Sequence, residues 1–138
     1  MEDVTEALRR GYQARKEHRL DEALESYQRA ADTYRSHNDP LALAHTVRHV
    51  GDIQTELGDL TQAEASFTEA LSIYRSHPET EPLDLANAIR GYALLKQLAG
   101  DKTNAKLLWE EARDLYKLLN IDAGVAESSR RIAGLTDR

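Results

Sequence analysis

The chain has 138 residues, 41% of them hydrophobic and 30% charged, with no cysteine and a formal charge of −6. That length fits one ordinary domain, and the composition is globular, neither disordered nor membranous; no apolar run nears the roughly 18 residues that a spanning helix needs. Missing cysteine excludes disulfides, thiol catalysis and zinc ribbons, and the acidic balance argues against a nucleic-acid backbone as the main partner. The opening Met1-Glu2-Asp3-Val4-Thr5-Glu6 has acids where a secretory signal has a basic start, so the expectation is a cytoplasmic protein without a membrane partner.

Taken in chain order, the elements come in units. The first, about residues 4–38, carries Gly11 in its first helix and Ala23, Tyr27, Ala30 and Tyr34 in its second. The turn between them, His18-Arg19-Leu20-Asp21, has no glycine and is the least marked of the turns. After the breaker Asn38-Asp39-Pro40, a second unit, about 41–77, opens with a helix over 41–57 that contains Gly51. Leu57-Gly58-Asp59 ends that helix, glycine serving as the left-handed stop and aspartate as the next start. The following helix carries Ala63, Phe67, Ala70 and Tyr74. The connector from His77 to Pro82 leads into a third unit, about 83–119. It comprises a helix over 84–99 with Ala93, the turn Ala99-Gly100-Asp101, and a helix with Ala105, Trp109, Ala112 and Tyr116. Asn120-Ile121-Asp122 precedes a last helix over about 123–135, and all three prolines are expected in connectors.

The units align at steps of 40 and then 42 residues, and each set reads Ala-x3-aromatic-x2-Ala-x3-Tyr. Gly11, Gly51 and Ala93 each stand 12 residues before a leading alanine, and Ala133 repeats that place in a truncated fourth unit. Steps of four, three and four residues put each set on one stripe of a helix. Alanine lets a neighbouring helix come close, and the aromatic fills the space between. A single hairpin cannot bury such a stripe, so stacked hairpins must share one core. The last helix then acts as a cap, with Val125, Ile132 and Leu135 on one side and Glu127, Arg130 and Arg131 elsewhere. The chain reads as a single all-α domain.

This pattern of small residue, Ala-x3-aromatic-x2-Ala core and acidic turn resembles the tetratricopeptide repeat over nearly the whole chain. The 40- to 42-residue spacing, against about 34 in the common form, resembles the longer variant of kinesin light chains and bacterial regulatory proteins. The resemblance implies a right-handed α-solenoid of three helix–turn–helix repeats plus a C-terminal capping helix. Departures exist: no unit has the early tryptophan, and Ala14, Gln54 and Leu94 stand where an aromatic is expected.

Function follows from the resemblance only as a class, because the family shares an architecture and not a chemistry. It implies a protein-interaction scaffold whose first helices line a concave groove. Carried over to this chain, the groove positions are Thr5, Leu8, Tyr12 and Arg15, then His45, Arg48, Asp52 and Thr55, then Asn87, Arg90, Leu94 and Gln97. Three residues before Gly51, Ala93 and Ala133 stand Arg48, Arg90 and Arg130, a ladder of guanidinium forks suited to an acidic peptide or helix. The alternative is that Arg48 pairs with Asp52 one turn on. The clamp that grips chaperone tails needs asparagine where this chain has Tyr12, Asp52 and Leu94. The expected partner is therefore an acidic protein segment, bound by a monomer or weak homodimer; the alternative is a self-associating structural module.

His45 and His49 sit at metal-ligand spacing, but no further ligand is evident and Thr46 stands where a metalloprotease has glutamate. Glu64, Glu69, Glu110, Glu111 and Asp114 fall on faces opposite the apolar stripe and read as solvated. There is no glycine-rich phosphate loop and no constellation that would activate a nucleophile. The expectation is no catalytic residue, no metal ligand and no cofactor, with a metal-dependent enzyme built on the two histidines as a distant alternative.

Overall fold

In the computed structural model, which describes residues 3–136, the chain runs through α1 (Val4–Lys16), α2 (Leu20–Ser36), α3 (Pro40–Glu56), α4 (Leu60–Arg75), α5 (Pro82–Leu98), α6 (Lys102–Leu118) and α7 (Asp122–Thr136). Met1 and Glu2 of the acidic opening lie outside the described residues. The fold is an all-α helical repeat, with no strand among the described residues. It divides into two compact units, Met1–Ser76 and His77–Arg138.

Local signals set the helix ends. Asp3, Asp39, Asp59 and Asp101 each accept a hydrogen bond from the backbone N–H three residues on, those of Glu6, Ala42, Gln62 and Asn104, at 3.0–3.4 Å. These bonds satisfy donors that a helix start leaves open. Pro40 and Pro82 are not connector residues as the sequence reading has them: each is the first residue of its helix. There the missing N–H costs nothing and the fixed φ favours the turn. Gly58 and Gly100 end their helices at φ of +82° and +84°, and Asp59 and Asp101 bond back to the carbonyls of Gln54 and Lys96 at 2.9 Å. The first turn takes the same path without glycine. His18 is at φ +58°, and Arg19 N–H reaches the Ala14 carbonyl at 2.8 Å. Arg19 makes no cap; its guanidinium pairs with Glu17 and Glu22.

In the first unit Ala23, Tyr27, Ala63 and Phe67 are buried. A Cβ on Gly11 would stand 2.8 Å from the Tyr27 ring, and one on Gly51 would stand 3.0 Å from Phe67. Each of these glycines is thus the seat of its own hairpin's aromatic. In the second unit Trp109 is fully buried with Ala93 and Ala105, under Leu94, Leu108, Ile132 and Leu135. Ile132 and Leu135 show that α7 caps the core as expected, and Gly124 brings its backbone against the face of Tyr116. Tyr74 and Tyr116 are buried, but Tyr34 is only half-buried. It lines a surface hollow of about 350 Å³ with Pro40 and Leu43 at the α2–α3 turn.

Candidate interaction surface

In the first unit the sequence-selected positions belong to α1 and α3. Thr5 is exposed and Leu8 packs on the Tyr27–Ile53 core. Tyr12 is 61% exposed, with the Lys16 ammonium 5.4 Å from its ring centre. Arg15 reaches across to α3 and donates through Nε (3.0 Å) and a terminal nitrogen (2.5 Å) to Glu56 Oε1. Arg48 pairs with Asp52 at 2.8 Å, both side chains only about 15% exposed. The Thr55 hydroxyl donates to the Gly51 carbonyl at 2.8 Å.

Behind these groups lies a stack of rings. Tyr27 of α2 lies flat on His49, with centroids 5.2 Å apart and planes 12° apart, and exposed His45 meets His49 edge-on at 4.9 Å. Burial pushes the His49 imidazole down to about 3, and the charges of Arg48, His45 and Arg15 add to the effect. Its Nδ1 is buried without a hydrogen-bond partner. A ring held neutral and stacked in this way is a packing element. Among the described residues no group of three or more histidines and carboxylates is placed to hold a metal ion.

In the second unit several selected residues serve the core. Asn87 Oδ1 accepts from the Tyr116 hydroxyl at 2.7 Å, and Gln97 Oε1 accepts from Trp109 Nε1 at 3.0 Å. Both satisfy polar atoms that the aromatics carry into the interior. Leu94 packs against Trp109 itself. Arg90 behaves differently: its Nε and a terminal nitrogen fork onto the two oxygens of Glu127 in α7, at 2.6 and 2.9 Å. Arg131 stands 4.0 Å from the same carboxylate, with its guanidinium 5.5 Å from the Trp109 ring centre. Arg130 is exposed. The hydrogen bonds from Arg90 hold Glu127 below the usual carboxylate range, and the charges of Arg90, Arg131 and Arg130 lower it further against the opposing effect of burial.

Arg48 belongs to the first unit, and Arg90 and Arg130 to the second. Two of the three are bound within the chain, Arg48 to Asp52 and Arg90 to Glu127. Glu56 and Glu127 are not among the groove positions that the family resemblance implies. Glu127 nevertheless had a signal, since it stands 40 residues after Asn87, in register with His45 and Thr5.

Hairpins whose small residues seat aromatics from the second helix, stacked within each unit, define a class: helical-hairpin repeat proteins. A family model described as the tetratricopeptide repeat matches residues 3–76, more than half of the chain. The chain belongs to the tetratricopeptide repeat family. Repeats of this kind are generally protein–protein interaction modules, and the fold is typically non-enzymatic. Curated proteins give no match. No helix among the described residues is long and apolar enough to cross a membrane.

Proposed function

We propose that the protein is a cytoplasmic adaptor that receives a peptide segment or helix of acidic character on the α5–α7 face of its second unit, with α1 and α3 of the first unit as a separate contact surface. One observation carries the acidic part. On the α5–α7 face Arg90 forks onto the Glu127 carboxylate, Arg131 stands 4.0 Å from it, and the charge of exposed Arg130 acts on it as well. Guanidinium forks match carboxylates in shape as well as charge. On the α1–α3 face Arg15 and Arg48 have carboxylate partners, and Thr5, Tyr12 and His45 are exposed. The spacing of 40 to 42 residues favours the longer-helix variant of the family.

The test replaces Arg90, Arg130 and Arg131 together with glutamine and measures binding of a fluorescein-labelled hexaglutamate peptide by polarisation. Affinity should fall steeply, and wild-type binding should weaken as salt rises from about 0.05 to 0.5 M, because screening shortens the reach of the charges. A helical triple variant that binds the peptide as wild type does would overturn the proposal.

A further inference from the structure

Arg90 and Glu127 form the geometry by which a guanidinium holds a carboxylate, with two parallel bonds of 2.6 and 2.9 Å. The acid comes from the chain's own last helix. Its place in the repeat register is that of Thr5, His45 and Asn87, positions that the family resemblance assigns to ligand contact. Arg131 and Arg130 add charge from the same helix.

The attachment of α7 does not depend on this pair. Ile132 and Leu135 pack against the Trp109 cluster, and Gly124 lies on Tyr116. Nor is the pair sealed: the Arg90 side chain is 39% exposed and that of Glu127 19%. An incoming acid can therefore meet exposed Arg130 first and exchange at Arg90 afterwards without unfolding the helix. We infer that the α5–α7 face is a carboxylate-binding site for a partner segment bearing two or more acidic side chains, and that Glu127 is its built-in competitor, setting the affinity. The inference rests on the acidic-partner reading above. A tethered competitor is present at high effective concentration, so a lone carboxylate exchanges poorly. Several on one segment gain the advantage of multivalency.

Hexaglutamate peptide is the probe, titrated at low salt against wild type, Glu127→Gln, Glu127→Asp and Arg90→Gln, each first checked for helicity by circular dichroism. Glu127→Gln removes the competing charge and should bind about two- to fivefold more tightly, the scale of one partly exposed ion pair. Glu127→Asp keeps the charge but is too short for the full fork, so it should fall between wild type and Glu127→Gln. Arg90→Gln should bind more weakly than wild type. Should both Glu127 variants bind as wild type does while only their melting temperatures drop, the pair is a structural staple. The competitor is then refuted and the acidic-partner reading stands. Absence of binding by wild type and Glu127→Gln alike would sink both.

Discussion

Acid should loosen the first unit through His49, and the direction and size of the effect follow from its surroundings. The imidazole faces Tyr27 of α2, His45 and Arg48 of its own helix, and Arg15 of α1. Burial and these charges bring it down to about 3 from an ordinary value of 6.5. The unfolded chain therefore takes up this proton first. Stability contributed by the neutral ring is complete above about pH 6.5 and is lost as the pH falls from there towards 3. At pH 5 the unfolded histidine lies about 1.5 units below its midpoint and the folded one is still neutral, a difference of about 2 kcal/mol. That is a large part of the 5–15 kcal/mol typical of a domain. Urea denaturation at pH 7 and pH 5 should show wild type losing about 2 kcal/mol more than His49→Phe. The variant keeps a ring against Tyr27 but has no proton to gain. Equal losses in the two proteins would mean that His49 is hydrated and not held neutral by burial.

Two further outcomes test the packing and the turns. Phe67 is fully buried over Gly51, so Phe67→Ala should cost about 3–5 kcal/mol in a denaturant titration; a cost below about 1 kcal/mol would mean that the aromatic plug is misplaced. His18→Gly should raise stability by about 1 kcal/mol in the same assay, because His18 stands at φ +58° where a side chain is strained. Unchanged or reduced stability would place the strain elsewhere.

The stripes of Tyr27, Phe67 and Trp109, the seats at Gly11 and Gly51, and the aspartate starts at Asp39, Asp59 and Asp101 were all readable in the sequence. Each is written within one helix or one turn, where i, i+3 and i+4 spacing and the chemistry of a cap act over a few residues. The turn at His18 was harder to read because the left-handed residue is usually glycine; only the back-bond from Arg19 to Ala14 reveals that the path is the same. The state of the arginines was beyond local reading. Arg48 with Asp52 is one helical turn and could be weighed as an alternative, but Arg15 with Glu56 and Arg90 with Glu127 join residues 41 and 37 apart. The burial of His49 under Tyr27 likewise depends on how α2 lies against α3. Periodicity fixes which side of a helix turns inward. Which charge meets which acid, and which ring is stripped of water, is settled only when a second helix supplies the opposing surface.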